Sequence, residues 1–210
     1  MIFAVPYDEV MATQWTIHMK TLATAHRNVL AMAAQPWGGN CAVPQWIDTY
    51  DPDDSRMKDT WIQGPQYSVT DGSLVLTYTK SVPSIDNTGF FDGYRIGKYE
   101  IKVGATGALS VDYPIFRLAD VMMMKAESLL RTGQADAPAE IVTKVRKRAF
   151  ENTNLAKATV TGAQLQLGSV YKYDLEDVEG NVPNPQGGAN IPYGRMLDEL
   201  SWEFGAEGRR

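Results

Sequence analysis

The strongest constraint on the fold is the stretch YPIFRLADVMMMKAESLLRTGQADAPAEIVTKVRKRAF, residues 113–150, where two helices with start and stop signals follow each other almost without a gap. Asp112 can cap the first helix, and Pro114 falls in its first turn, where a missing N–H costs nothing. Ile115, Leu118, Ala119, Met122, Ala126, Leu129 and Leu130 then recur at the helical period as one apolar stripe. Arg131 suits the negative end of the helix dipole, and Gly133 is a natural C′ residue. Asp136 and Pro138 open a second helix, with Ile141, Val142, Val145 and Ala149 inward and Lys144, Arg146, Lys147 and Arg148 mostly outward. A link of about four residues makes the two an antiparallel αα-hairpin. One hairpin exposes too much apolar surface to stand alone, so it reads as one helical repeat that needs neighbours.

Composition mainly excludes. Hydrophobic residues at 44% and charged residues at 21% are ordinary globular proportions, and 210 residues suffice for one domain with a real core. A net charge of −5 argues against nucleic acid or anionic lipid as a partner, since those need a positive footprint. The basic run at 144–148 reads as a solvated helix face. Cys41 is alone, so no internal disulfide forms, and it is not placed at a start where it could be lipidated. MIFAVP is too short for a signal h-region, and no 18-residue apolar run occurs.

Residues 2–5 read as a buried strand or extended stretch, and 16–34 as a helix stopped by Pro36, with Met19, Leu22, His26, Val29, Leu30 and Ala33 on one side. His18 and His26 share a face but lie too far apart on one helix to bind a single ion, so no metal is expected there. From 36 to 66 the chain turns irregular and carries Trp37, Trp46, Tyr50 and Trp61. Each aromatic either plugs the loop into the core or offers a flat apolar face to a sugar ring. Trp37 is the first candidate platform, because Gly38 and Gly39 beside it allow close approach of a ligand; Trp46 is the second, and Trp61 and Tyr50 complete the set.

DPDDS (51–55) imitates the start of a calcium loop, but Arg56 stands where such a loop needs Gly and Ile62 where it needs Glu. Asp54 and Arg56 therefore read as a local turn and ion pair, and the acidic cluster at 174–181 fails as a calcium loop in the same way, its carboxylates leaving room only for an unspecific ion site. Residues 67–80 form a hairpin around Asp71-Gly72, and a second extended pair is expected at 94–103 around Gly104 to Gly107. The polar stretch 151–195, with Tyr171, Tyr173 and Tyr193, is long enough to be functional or mobile. In the last helix Met196, Leu197, Leu200 and Phe204 make the stripe, with Trp202 beside it. Glu199, Glu203 and Glu207 form a ladder of like charges that needs cations such as Arg117, Arg146 or Arg148.

Three segments carry a resemblance. Arg117, Leu118, Ala119, Ala126 and Glu127 match a pattern R-L-A-E-x-x-L-x-x-A-E-A; Val145, Arg146, Arg148 and Ala149 match I-N-x-V-R-x-R-A; Glu199, Glu203, Glu207, Gly208 and Arg210 match E-R-x-x-E-L-x-x-E-G-x-R. Asp120, Thr143, Leu200 and Phe204 depart from these patterns without loss of helical character. In this order they resemble the C-terminal region of the SusD/RagB family, and IFAVPYDE, YDPDDSR and GKYE look like its middle region. The resemblance implies a mainly α, tetratricopeptide-like α–α superhelix with long loops and small β-hairpins. It covers nearly the whole chain as a single partial SusD-like domain, with 1–112 loop-rich and 113–210 of helical repeats. Family members continue past the final arginine and begin with a lipoprotein signal and further repeats, so Met1 reads as a truncation point and this piece alone is expected to be sticky.

The resemblance further implies a lipoprotein on the outer face of the outer membrane that binds glycans through loop aromatics and hands oligosaccharides to a TonB-dependent, SusC-like transporter. It supplies no ligand motif to transfer residue by residue. The chain has no G-x-S-x-G, H-E-x-x-H or phosphate loop, so no catalytic residue, metal or cofactor is expected and the protein reads as a binder rather than an enzyme; its many carboxylates leave a paired-acid glycosidase as the minor alternative, since a sequence does not show which acids converge. The alternative is a helical-repeat adaptor that binds another protein and no sugar; it requires the tryptophans to be buried.

Overall fold

The structure is a computed structural model that describes residues 2–83, 88–173 and 186–209. In chain order it runs β1 (Phe3–Pro6), α1 (Ile17–Thr21), a 3₁₀ turn (Thr24–Asn28), α2 (Pro44–Ile47), α3 (Ser55–Thr60), β2 (Trp61–Ile62), β3 (Gly64–Tyr67), β4 (Leu74–Tyr78) and β5 (Arg95–Ile96). There follow β6 (Asp112–Phe116), α4 (Leu118–Arg131), α5 (Asp136–Phe150), a 3₁₀ turn (Leu155–Ala158), α6 (Gly162–Leu165), β7 (Lys172–Tyr173), β8 (Gln186–Gly187) and α7 (Gly194–Phe204). Regular structure is chiefly helical, with strands paired only in twos: β1 with β6, β2 with β5, β3 with β4 and β7 with β8.

The α4–α5 hairpin is present, but α4 starts at Leu118 rather than near Pro114. Residues 112–116 are instead a strand, antiparallel to β1 with Pro114 opposite Ala4. A partner more than a hundred positions away decides this, which no local signal reports. The cap passes to Asp120, whose carboxylate accepts the Arg117 N–H at 2.8 Å. At the other end Gly133 has φ +87 and the Gln134 N–H donates to the Leu129 carbonyl, closing the helix as expected. The buried stripe is Ala119, Met123, Ala126 and Leu130; Met122 lies at its margin and Leu118 is exposed. Helix α5 buries Val142, Val145 and Ala149 as read, and also Phe150 and Arg146. Arg146 was expected to point outward; Glu199 draws it in.

Helix 16–34 is not continuous. Leu22 and Ala23 are extended, because the Ala23 N–H donates to the Tyr78 phenol at 3.0 Å instead of to its own helix. The hairpin around Asp71-Gly72 forms, with Gly72 at φ +74 and the Asp71 carboxylate accepting the Ser73 N–H. No second hairpin forms at 94–103: the strand there is only Arg95–Ile96, and its partner is β2. Residues 2 and 3 lie in an extended edge but are exposed rather than buried. Part of the polar stretch 151–195, including the acidic cluster 174–181, lies outside the described residues.

Two main cores result. One joins α4, α5 and α7 through Met123, Leu130, Val142, Met196 and Phe204, completed by Val160 and Leu165. The other gathers Trp15, Met19, Leu22, Met32, Ala105 and Leu109.

Candidate functional site

Trp37 stands on residues 37–42, a loop laid across the end of α1. Its N–H donates to the Met19 carbonyl at 2.8 Å and the Asn40 N–H to the Lys20 carbonyl at 3.0 Å, so the loop is tied down on both sides of Gly38 and Gly39. Those glycines have φ +76 and +123, a region that other residues enter at a cost, and nothing lies within 4 Å of a Cβ built on Gly38. The indole is 60% exposed.

Trp46, Tyr50 and Trp61 come together elsewhere. Trp46 sits half-buried on α2 and meets Tyr50 edge-on at 5.1 Å and Trp61 edge-on at 5.4 Å; Tyr50 tilts onto Trp202 at 6.2 Å. Tyr50 and Trp61 are each only 7% exposed, and burial pushes the Tyr50 phenol well above its ordinary pKa. Trp46 and Trp61 line a cleft of about 250 Å³ with Ser201, Phe204, Gly205 and Arg209. Gly205 permits the approach of α2, since a Cβ there would lie 2.9 Å from the Trp46 ring. The α7 side of this cleft escapes a sequence reading, because Ser201 and Gly205 become neighbours of Trp46 only through tertiary packing. Thus the four aromatics are not one site: Trp37 is free of the other three.

Behind them lies a buried ionic network. Glu199 and Glu203 on α7 and Glu207 just beyond it are almost fully buried, and the expected arginines reach them. Arg146 Nη1 lies 2.7 Å from Glu199, Arg117 meets Glu203 at 2.7 Å and Glu207 at 2.8 Å, and Arg148 meets Glu203 at 2.6 Å. The local Asp54–Arg56 pair forms at 2.6 Å, yet it is buried, and Arg56 also extends toward Glu203 at 3.5 Å. Burial raises the Glu203 pKa, but Arg148, Arg117 and Arg56 outweigh it and hold the carboxyl below its ordinary value. Such a group is a poor proton donor at neutral pH. A cleft of about 400 Å³ above the network is lined by Lys98, Tyr99, Asp112, Arg117, Arg148 and Glu207, of which Lys98, Arg117, Arg148 and Glu207 are held in ion pairs.

Both histidines are buried structural groups. His18 Nε2 bonds the Thr106 carbonyl at 2.9 Å, and His26 Nδ1 lies 3.1 Å from the Tyr78 phenol. Asp51 and Asp53 hold Lys157, each at 2.8 Å. Among the described residues no group of three His, Cys, Asp or Glu is placed to hold a metal ion.

A model of the SusD family matches residues 1–210. The chain belongs to the SusD family. Solved structures agree with this fold: a SusD superfamily protein from Bacteroides fragilis NCTC 9343 shares 21% identity at a TM-score of 0.57, covering 100% of this chain and 38% of that one. B. fragilis NanU shares 19% identity at a TM-score of 0.58, covering 100% of this chain and 42% of its own. A SusD superfamily protein from Bacteroides vulgatus ATCC 8482 shares 16% at a TM-score of 0.53, covering 97% and 42%. Identities this low carry the fold alone, and this SusD-family chain spans about two fifths of the length of those structures. A search of curated proteins found no match. Among the described residues no helix is long and apolar enough to cross a membrane.

Proposed function

We propose that this SusD-family chain belongs to a non-catalytic glycan-binding lipoprotein on the outward face of the outer membrane, which passes oligosaccharides to a TonB-dependent, SusC-like transporter. The observation that carries the reading is Trp37, a large exposed aromatic on a loop pinned to α1 and followed by two glycines, with open space where a Gly38 side chain would stand. Trp46 is the second platform, at the mouth of its cleft, with Trp61 and Tyr50 as the ring support beneath it. Family membership supports a binding role over an enzymatic one. The binding is weak, in the micromolar to millimolar range or about −4 to −8 kcal/mol, because stacking and a few hydrogen bonds supply it. Calorimetry against plant and host oligosaccharides, repeated with Trp37→Ala, tests this. Binding that survives the substitution removes Trp37 from the site, and release of cleaved product overturns the non-enzyme reading.

In the same reading residues 1–210 are part of one SusD-like domain, loop-rich over 1–112 and helical over 113–210, and the α4–α5 hairpin is one unit of a tetratricopeptide-like superhelix. The adaptor reading draws support from the exposed stripe of Leu118, Val121 and Met124 on α4, a surface of the kind that a further helix or a protein partner covers. Burial of Tyr50 and Trp61 also favours it, whereas exposure of Trp37 does not.

A further inference from the structure

Arg95 is 3% exposed, and no carboxylate pairs with it among the described residues. Its guanidinium instead donates to three main-chain carbonyls: Phe90 and Asp92, each at 2.9 Å, and Asn40 at 3.4 Å. It also lies over the Tyr78 ring at 5.2 Å. Among the described residues only main-chain dipoles and a ring face meet this buried cation, and the planar fork of arginine fixes where its acceptors must sit.

The three carbonyls belong to two loops. One is the Trp37 loop, tied to α1 on one side and on the other to Tyr94, whose carbonyl accepts the Ala42 N–H at 2.8 Å. The second is a turn carrying Phe90 and Phe91, closed by the Asp92 carboxylate accepting the Gly89 N–H at 2.7 Å. The loops touch: a Cβ on Gly93, at φ +77, would lie 2.5 Å from the Cys41 side chain. Phe90 is 78% exposed on this turn, and Phe91, next to it in the chain, is also exposed. A single exposed aromatic is ordinary; exposed rings on two loops fastened by one buried arginine are not.

We propose that Arg95 is a positioning residue that locks the Trp37 loop to the Phe90 turn, and that Phe90 offers a second aromatic face to the same oligosaccharide. The inference rests on the glycan-binding reading of Trp37. Holding both loops in advance removes part of the ordering cost of binding.

The test is calorimetry of the wild type with maltoheptaose, cellohexaose, xylohexaose and N-acetylchitohexaose, and of the variants with whichever of these binds. Phe90→Ala, a surface change with no folding burden, should weaken binding about tenfold. Arg95→Met should weaken it too, and adding Phe90→Ala to Arg95→Met should cause no further loss, because the arginine acts through that turn. Wild-type affinity in Phe90→Ala alongside lost binding in Trp37→Ala overturns this inference and leaves the glycan reading standing. A wild type that binds none of the four refutes the glycan reading and this inference with it. Losses that add in the double variant overturn the positioning role; if Arg95→Met does not fold, Phe90→Ala alone decides.

Discussion

Removing the charge of Glu199 should unsettle the molecule more than any surface change. Its carboxylate is wholly buried and is the short-range counter-charge of Arg146, at 2.7 Å; Arg146 itself is 6% exposed. The other donors of that guanidinium go to the Ala158 and Lys157 carbonyls, which solvate the charge without neutralising it. Glu199→Met therefore strands a buried cation, at a cost of about 3–5 kcal/mol, whereas Arg146→Met costs less, because Arg56 at 3.8 Å and Arg195 at 3.9 Å still face the Glu199 carboxylate. At roughly 2–4 °C per kcal/mol for a chain of this size, Glu199→Met should melt on the order of 10 °C lower and Arg146→Met by less. The double variant removes both charges and leaves only the two carbonyls unpaired, about 1–3 kcal/mol each. It should therefore cost less than the two singles together. Urea unfolding followed by the helical circular dichroism band, with m checked for constancy, measures all four corners of the cycle. Single costs that add to within about 0.5 kcal/mol would refute the coupling and the view of the ladder as a buried ionic network.

Ala126 is fully buried between α4 and its neighbours, so Ala126→Asp places an unpaired carboxylate in the core and should cost several kcal/mol; an unchanged thermal midpoint would sink the hairpin packing. Acid should destabilise the fold through His26, whose pKa is lowered to about 4 by burial and by the nearby Arg95 cation. The Tyr78 phenol accepts the Ala23 N–H, which leaves its own proton to donate to neutral His26 Nδ1. Because the unfolded chain binds the proton near pH 6.5 and the folded one near 4, this stability is fully present above about 6.5 and is lost as pH falls toward 4, by ~3 kcal/mol in all. His18, lowered in the same direction by burial, adds to the slope. Urea midpoints between pH 7 and 4 for the wild type and His26→Gln check this, and an identical slope in both would exclude His26 as its source.

Local chemistry was sufficient wherever a signal and its answer lie within a few residues. Gly133 ends α4, Asp71-Gly72 turns the β3–β4 hairpin, and Asp54 caps α3 while pairing with Arg56, each as spacing and side-chain chemistry dictate. The need of the Glu199–Glu203–Glu207 ladder for arginines was equally legible, since stacked like charges demand cations whatever surrounds them. Tertiary structure decided what depends on distant partners: β1 converts 112–116 from a first helical turn into a strand, and Tyr78 takes the Ala23 N–H and breaks the helix expected at 16–34. It also sorted four aromatics that composition could not rank, leaving Trp37 open on its glycine-flanked loop and folding Tyr50 and Trp61 under Trp46 and Trp202. The physical reason is the same in each case. Periodicity and capping are settled by bonds between near neighbours in the chain, whereas burial, and with it the choice between a core plug and a ligand platform, is settled by which remote segment arrives to cover a side chain.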